Sequence, residues 1–352
     1  MDFAIALPTP ADSWKAVARA EQLGFAAAWF YDTQLLSADL FVGMAAAAMK
    51  TSRIRLGTGV LIPSNRIAPV AANALASLNA LAPGRIDFGV GTGFTGRMTM
   101  GLGAMRLADM AEYIRIVYGL LGRETVTWEF EAKARKIRFL NPDLGLINTE
   151  DPIPLHISAF GPKSRRLTAS LGAGWLNFYR DLLTATRGIE DMQAAWGEAG
   201  RERDDLECTV FALGCVLAEG EAYDGDRAMA QAGPVAAVNL HRSIEGGIDI
   251  DHLPAETQDL FRGFRELYES YEPEDARYLS LHRGHLMFVR EDEKPYVTAE
   301  LIRSRTLIGT VNELRDTIRQ LEEIGYRQLA VQLVPGHEMA ALDDWARVFD
   351  GL

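Results

Sequence analysis

Two glycine-rich segments have the residue types of strand ends that lie against a flat ligand. Residues 56–61 are Leu-Gly-Thr-Gly-Val-Leu, and residues 89–93 are Gly-Val-Gly-Thr-Gly. Glycine has no Cβ, so a planar ring can approach the main chain more closely at such positions than elsewhere. We therefore predict that a flat cofactor contacts both strand ends. The predicted contacts are Gly59, Val60, Gly91, Thr92 and Gly93.

A second candidate site begins at Gly161, directly after the apolar segment 153–159. Pro162 suits the first turn of a helix, where free N–H groups and the helix dipole attract anions. Lys163 adds a positive charge and Ser164 follows it, so the pattern favours a bound phosphate group. The same residues are also compatible with an ordinary capped helix that carries an exposed lysine.

Polar residues follow the predicted strand 26–31. Asp32 ends this strand, where a parallel barrel places functional groups, although an aspartate here can equally cap the next helix. Thr33 and Gln34 are candidates for polar contacts with a substrate. Each candidate is also compatible with a packing or surface role. The candidate substrate contacts are Tyr31, Gln34 and Arg97.

Most of the six histidines lie in the segment 221–305. His282 and His285 are three residues apart and could share a helix face, but no carboxylate at a metal-ligand spacing accompanies them. We therefore predict no metal site and expect a surface or lid position for both. They are nevertheless the first candidates for a proton donor. His156, inside a predicted strand, is expected to be a hydrogen-bonded core residue.

The elements that position these residues alternate regularly between strand and helix. The predicted strands cover 3–8, 26–31, 54–62, 86–90, 153–159, 175–178, 206–217 and 329–334. The predicted helices cover 14–23, 40–49, 70–81, 107–121, 162–171, 183–196, 311–324 and 339–349. Eight consecutive units predict a single α/β domain over 1–352, a (β/α)8 TIM barrel, with a doubly wound sheet as the alternative. A hairpin within 123–151 interrupts the repeat, and a larger helical lid or dimer element at 221–305 follows the seventh strand.

Length and charge exclude several classes of partner. The chain has 352 residues, which exceeds the roughly 250 residues of a typical TIM barrel. Its net charge of −12 argues against nucleic acid and anionic membranes as partners. No apolar run reaches the roughly 18 residues of a membrane span, and the first residues lack a basic signal-like region. With two cysteines only, we expect a cytoplasmic protein that acts on a small molecule.

Several segments taken together resemble the bacterial luciferase-like superfamily. They are 57–60 (Gly-Thr-Gly-Val), 78–85 (Leu-Asn-Ala-Leu-Ala-Pro-Gly-Arg), 89–93, 154–163 and 309–314. The resemblance implies a TIM barrel that binds a flavin or deazaflavin at the carboxyl ends of its strands. It also implies a non-prolyl cis peptide between Gly59 and Val60 behind the central ring, and a cofactor contact for Asp32. It adds Ser158, Ala159 and Phe160 to the expected cofactor contacts.

The Gly-Pro-Lys triplet at 161–163 resembles the branch that contains methylenetetrahydromethanopterin reductase and other enzymes of coenzyme F420. The other large branch uses reduced FMN and dioxygen. The resemblance therefore implies an oxidoreductase that moves hydride between F420 and a small organic substrate. One alternative is an FMN-dependent monooxygenase with a flavin reductase partner, and another is a non-catalytic flavin-binding protein.

The resemblance leaves the acid or base unassigned. Thr33 stands where family enzymes often carry a histidine, so the candidate catalytic residues are Asp32, Thr33, His282 and His285. A metal-dependent hydrolase, which needs histidines at strand ends, has only His156 and His337 in its favour. Relatives commonly form dimers through helices near the second and third strands. The Ala-rich segment 40–49 would permit such packing, so we expect a homodimer.

Overall fold

The computed structural model is a closed barrel of eight parallel strands, as the alternating pattern predicts. It describes the backbone of residues 1–352 and all side chains except that of residue 256. Each strand pairs with the next barrel strand along the chain, and the last pairs with the first, so the doubly wound alternative is wrong. The barrel strands are β1 Asp2–Leu7, β2 Ala27–Phe30, β3 Arg55–Thr58, β4 Ile86–Val90, β5 Leu155–Ser158, β6 Gly174–Phe178, β7 Cys208–Ala212 and β8 Gln328–Gln332.

Helices surround the barrel and bury their apolar faces against it. Local caps begin several of them: Asp39 accepts hydrogen bonds from the first turn of one helix, and Thr310 with Glu313 forms a capping box on another. Of the described helices, none combines the length and apolar composition that a bilayer crossing requires. The main surrounding helices are Trp14–Gln22, Leu40–Ala48, Ala68–Leu81, Leu107–Leu121, Pro162–Leu171, Leu182–Glu198, Val311–Ile324 and Glu338–Phe349, with a short helix at Phe94–Met98.

The apolar segment 206–217 is two strands rather than the single predicted strand. The barrel strand β7 ends at Ala212, and Gly214–Leu217 leaves the barrel to pair in parallel with Leu307–Thr310. A Cβ on Gly214 would lie 1.8 Å from the Leu307 carbonyl oxygen, so this close pairing requires glycine. The split escaped the sequence analysis because the apolar run continues through the break.

The insertion between the two strands of this outer pair has its own apolar core. Leu240, Phe264, Leu281 and Ile302 are all fully buried within it. A folded insertion of this kind can hold a fixed position over the barrel rather than behave as a loose loop. Its helices are Asp226–Gln231, Gly233–Glu245, Ala255–Glu269, Tyr278–Leu281 and Ala299–Arg305. The smaller predicted hairpin is formed by Val126–Phe130 and Lys133–Ile137.

Candidate cofactor site at the carboxyl end of the barrel

The backbone after β3 contains the expected non-prolyl cis peptide, between Gly59 and Val60. The Gly59 N–H donates to the Phe30 carbonyl at 2.7 Å, and the Leu61 N–H donates to the Gly89 carbonyl at 2.8 Å. Leu61 is fully buried, whereas Gly59 and Val60 stay partly exposed. The chain therefore presents a small, fixed apolar step at the mouth of the barrel.

Contacts within the protein explain why several of these strand positions are glycine. A Cβ on Gly57 would lie 2.4 Å from the Trp29 ring, and one on Gly59 would lie 2.8 Å from the Trp29 Cβ. A Cβ on Gly89 would lie 2.0 Å from the Thr58 carbonyl oxygen. Close packing within the protein is therefore a sufficient reason for glycine at these three positions. They make room for an interior tryptophan and a neighbouring strand, and a cofactor contact at Gly59 stays a prediction.

The ends of β3, β4 and β5 form one continuous surface. A Cβ on Gly91 would lie 2.9 Å from a Val60 methyl carbon and 3.4 Å from the Ser158 Cβ. Gly93 has a φ of 78°, a conformation that favours glycine, and begins the short helix Phe94–Met98. Thr92 between them is partly exposed. The structure thus brings the predicted contacts of three separate segments together.

The first turn of the helix Pro162–Leu171 is open to solvent. A Cβ on Gly161 would meet no atom within 4 Å, and the Lys163 side chain is exposed. The Ser164 hydroxyl donates to the Gly161 carbonyl at 2.9 Å, which fixes the turn. The first N–H groups of a helix have no partner within it, and its dipole is positive at this end. This turn can therefore receive an anionic group beside an exposed lysine.

The residues that join β5 to this turn differ in exposure. Ala159 is fully buried, and its carbonyl accepts a hydrogen bond from the Trp175 indole N–H at 2.7 Å. Phe160 is 56% exposed, and its ring lies 6.2 Å from that of Phe178. An exposed aromatic ring between an apolar step and an anion site can pack against a bound planar group.

Asp32 is buried and has three partners within the protein. Its carboxylate pairs with Arg66 at 2.8 Å and accepts hydrogen bonds from the Ile62 N–H and the Asn65 amide, both at 3.0 Å. Asp39, rather than Asp32, caps the following helix, so the capping alternative is wrong. Asp32 thus holds the loop that follows the cis peptide, and its direct contact with a cofactor stays a prediction.

Two carboxylates stabilise the positive charge of Arg66, the ionic partner of Asp32. Burial by itself would lower the pKa of Arg66, but the carboxylates of Asp32 and Asp39 raise that pKa above its usual value. The arginine therefore stays protonated between the loops that follow β2 and β3.

The polar neighbours of Asp32 also have partners within the protein. The Thr33 hydroxyl lies 2.7 Å from the Ser37 hydroxyl. The Gln34 amide donates to the Gly96 carbonyl and accepts from the Asn65 side chain, so it joins the loops after β2, β3 and β4. These contacts show how the mouth is held, and contacts of Thr33 or Gln34 with a substrate stay predictions.

The two other predicted substrate contacts differ in their surroundings. Tyr31 is buried, which raises the pKa of its hydroxyl, and the hydroxyl donates to the side-chain amide oxygen of Gln332 at 2.9 Å. Arg97 is partly exposed and donates to the Gly103 carbonyl at 2.6 Å. Tyr31 therefore belongs to the barrel wall, while Arg97 lies at its rim.

His282 and His285 are buried in the insertion, so the surface alternative is wrong, while the lid alternative stays a prediction. Only 3% and 7% of these residues are exposed, and a third histidine, His241, lies beside them with 2% exposed. The His285 Nε2 lies 3.1 Å from the Thr95 hydroxyl, in the helix that follows β4. The concentration of histidines in the segment 221–305 was a sequence signal, but it did not show that the distant His241 meets the other two. His156 is a barrel-interior residue, as expected, with its Nε2 3.4 Å from Asp87.

The residue after His285 covers part of the barrel mouth. Leu286 packs against the apolar interior cluster that includes Trp29, Tyr31 and Phe211. Its carbonyl accepts a hydrogen bond from the Gln332 amide at 2.6 Å, which attaches the insertion to β8. The insertion is therefore attached at the barrel mouth, and its action as a lid stays a prediction.

A cleft of about 510 Å³ opens beside residues 287–289, which directly follow Leu286. It lies between the insertion and the loop after β8. Its walls include Asp224, Met287, Phe288, Val334 and His337.

Comparison with known proteins shows which family the chain resembles. The family model described as luciferase-like monooxygenase matches residues 5–328. An F420-dependent glucose-6-phosphate dehydrogenase from Beutenbergia cavernae is 33% identical over 199 residues, which are 53% of this chain and 54% of that protein. The aligned segment therefore spans about half the length of this relative.

Solved structures share the fold at low sequence identity. The coenzyme F420-dependent tetrahydromethanopterin reductase from Methanopyrus kandleri matches with a TM-score of 0.68 and 20% identity, over 98% of this chain and 97% of that chain. The oxygenating constituent of 3,6-diketocamphane monooxygenase from Pseudomonas putida, in complex with FMN, matches with a TM-score of 0.67 and 15% identity, over 100% and 97% of the two chains.

Proposed function

Because this chain belongs to the luciferase-like monooxygenase family, we propose that it is an oxidoreductase that binds coenzyme F420 and moves hydride between it and a small organic substrate. The observation that carries the proposal is the surface at the ends of β3, β4 and β5. It combines a partly exposed apolar step at Val60 with an open helix N-terminus and an exposed Lys163. The name of the relative from Beutenbergia cavernae supports F420 as the cofactor.

The residues at the mouth fit such a cofactor. Val60, Gly91 and Ser158 provide a continuous platform for a planar ring, and Gly161 with Lys163 provides an anion site for a phosphate. When bound, the deazaflavin ring of F420 supplies the hydride donor or acceptor.

The chain itself contributes positioning and exclusion of water. Asp32 and Arg66 hold the loop that follows the cis peptide, so the platform is fixed before a ligand binds. The insertion, through Leu286 and Gln332, closes one side of the mouth and keeps bulk water from it. In this proposal Asp32 and Thr33 act by positioning.

The test compares two cofactors on the purified protein. Oxidised F420 and FMN are titrated separately, with binding followed by fluorescence quenching and by calorimetry. We expect micromolar or tighter affinity for F420 and much weaker affinity for FMN. Lys163→Ala should weaken F420 binding about tenfold, because a charge-assisted hydrogen bond to a phosphate contributes about 1.5 kcal/mol or more. Lys136→Ala, an exposed lysine on the hairpin, is the matched control.

A second candidate is an FMN-dependent monooxygenase with a separate flavin reductase. It is favoured by the fold likeness to the FMN complex from Pseudomonas putida, and the same anion site would suit the FMN phosphate. Tight binding of FMN with weak binding of F420 would replace the first proposal with this one. Binding without turnover of any substrate would instead favour a non-catalytic flavin-binding protein.

We further propose that two copies associate through the helices that follow β2 and β3. Val42 and Met49, at the first helix and its end, are 59% and 68% exposed, and Val70 on the second is 51% exposed. Exposed apolar residues grouped on neighbouring helices are typical of an interface. The alanines of Leu40–Ala48 allow close helix packing there.

A further inference from the structure

Three buried histidines from separate parts of the insertion meet at one point. His241 lies in the helix Gly233–Glu245, and His282 and His285 follow the helix Tyr278–Leu281. One ring nitrogen of each lies within 4.8 Å of a ring nitrogen of the other two. The expectation of no metal site considered only the three-residue spacing of His282 and His285. The third histidine, His241, comes from a separate helix.

The Nε2 atom of each ring has a partner. The His241 Nε2 lies 2.5 Å from a Glu293 carboxylate oxygen, and the His282 Nε2 lies 3.0 Å from a Glu245 carboxylate oxygen. A carboxylate accepts, so each of these rings carries a proton on Nε2, and the neutral form of the ring has its lone pair on Nδ1. Metal-binding histidines typically donate their second N–H to a carboxylate in this way.

Glu293 is suited to this role. Its carboxylate is buried and lies 2.5 Å from the His241 Nε2 and 3.1 Å from the Arg290 guanidinium. An arginine beside a carboxylate favours the ionised form, which accepts the His241 proton. Glu245, the partner of His282, has its second carboxylate oxygen buried without a hydrogen bond among the described residues.

The second nitrogen of each ring, Nδ1, lacks a hydrogen-bond partner among the described residues. The Nδ1 atoms of His241, His282 and His285 are all buried, and none makes a hydrogen bond with any described residue. A buried polar atom without a partner is unfavourable, and three together call for a common ligand.

We propose that these three histidines bind one divalent transition-metal ion of the zinc class through their Nδ1 atoms, with water as a fourth ligand. Three imidazoles and one open position are a known zinc ligand set. Tetrahedral zinc places its nitrogen ligands about 3.3 Å apart, so separations of up to 4.8 Å become suitable once the rings move slightly together. Glu245 and Glu293 behind the ligands balance the charge of the ion.

The place of this site in the fold gives it a consequence. His285 contacts Thr95 in the helix after β4, and the next residue, Leu286, packs into the barrel mouth. A metal ion here would link the segment that contains His285 and Leu286 to the helix Gly233–Glu245 of the insertion. The site would therefore hold the lid over the barrel, whichever cofactor the barrel binds.

The experiment measures metal directly on the whole protein. Metal is removed by dialysis against a chelator, and Zn²⁺ is titrated back by calorimetry, with metal content checked by mass spectrometry. We expect one Zn²⁺ per chain with micromolar or tighter affinity. Co²⁺ should bind at the same site and show the visible absorption of a tetrahedral nitrogen and oxygen site.

Variants assign the binding to the three histidines. His241→Ala and His285→Gln should each weaken Zn²⁺ binding at least a hundredfold, and Glu245→Gln should weaken it 10- to 100-fold through loss of the carboxylate behind His282. His252→Ala is the matched control, because this exposed histidine lies in the same insertion and is hydrogen-bonded to Asp249. It should bind Zn²⁺ as the unchanged protein does.

Two results would overturn the proposal. One is folded, chelator-treated protein that takes up no stoichiometric Zn²⁺, Co²⁺, Ni²⁺ or Fe²⁺. The other is binding that survives in the folded histidine variants. Circular dichroism checks folding without metal, and Glu245→Gln retains the shape of the side chain if the histidine variants do not fold. Because the readout is metal content, the outcome is independent of the proposed cofactor.

Discussion

Asp32 and Arg66 form a buried ion pair of 2.8 Å that joins the loops after β2 and β3. The same carboxylate accepts the Ile62 N–H, three residues beyond the cis peptide at Gly59. An ion pair within the protein therefore shapes the barrel mouth. Asp32, which was expected to contact a cofactor, holds the backbone of the loop that would support that cofactor.

Removing the charge of Asp32 should destabilise the fold. Asp32→Asn leaves Arg66 with only the partly exposed Asp39 as an ionic partner. Breaking a buried pair leaves an uncompensated charge, and with one partner retained we expect a loss of about 2 kcal/mol in the free energy of unfolding. Urea denaturation measures it. The control Asp109→Asn breaks an exposed pair with Arg106 and should cost less than about 0.5 kcal/mol. Equal effects of the two variants would contradict this account.

Asp87 should make stability depend on pH in the acid range. Burial alone would raise the pKa of Asp87, but the hydrogen bonds and charges of His156 and Arg55 hold it below the usual range for aspartate. A folded pKa below the unfolded one means that the ionised form stabilises the protein at neutral pH. That contribution is lost as the pH falls below about 4 and through the folded pKa.

The variant Asp87→Asn tests this dependence. Urea unfolding measured from about pH 7 to about pH 3 should show lower stability at neutral pH and a shallower decline toward acid than the unchanged protein shows. Asp143→Asn, at an exposed position outside the barrel, should leave the profile as it was. A decline as steep in Asp87→Asn as in the parent chain would count against the assignment.

Only one of two glycines, Gly57 and Gly161, should lose stability when a methyl group is added. Gly57→Ala forces a Cβ to within 2.4 Å of the Trp29 ring, and overpacking of this kind costs about 1–3 kcal/mol. Gly161→Ala meets no atom within 4 Å and should leave stability unchanged. Thermal unfolding reports the difference. A loss of stability in Gly161→Ala would show that the turn is not open. If the anion site receives a cofactor phosphate, the same variant should still weaken F420 binding.

The proposed dimer predicts a change of mass in solution. Val42→Glu combined with Val70→Glu places charges on the exposed faces of two neighbouring helices and should yield a monomer by light scattering. Leu183→Glu, at a residue 61% exposed on the helix Leu182–Glu198, is the control and should leave the dimer intact. A monomeric parent chain, or a double variant that stays dimeric, would exclude this interface.

The sequence by itself determined the repeat and many of its bounds. The strand Ile86–Val90 and the helices Leu107–Leu121, Pro162–Leu171 and Val311–Ile324 begin and end where the pattern predicts. These elements carry their signals locally, as apolar periodicity, a proline at the first helical turn, or a capping box such as that of Thr310. The cis peptide at Gly59 was expected through the family resemblance.

Only the tertiary structure decided which distant residues meet. The Asp32–Arg66 pair, the packing of Trp29 against Gly57, and the meeting of His241 with His285 all join segments that local patterns treat separately. The break after Ala212 likewise depends on Leu307, which pairs with Gly214 across the whole insertion. Local patterns report the surroundings of a residue along the chain, whereas a closed barrel and a folded insertion bring together side chains whose separation in sequence carries no physical trace of their contact.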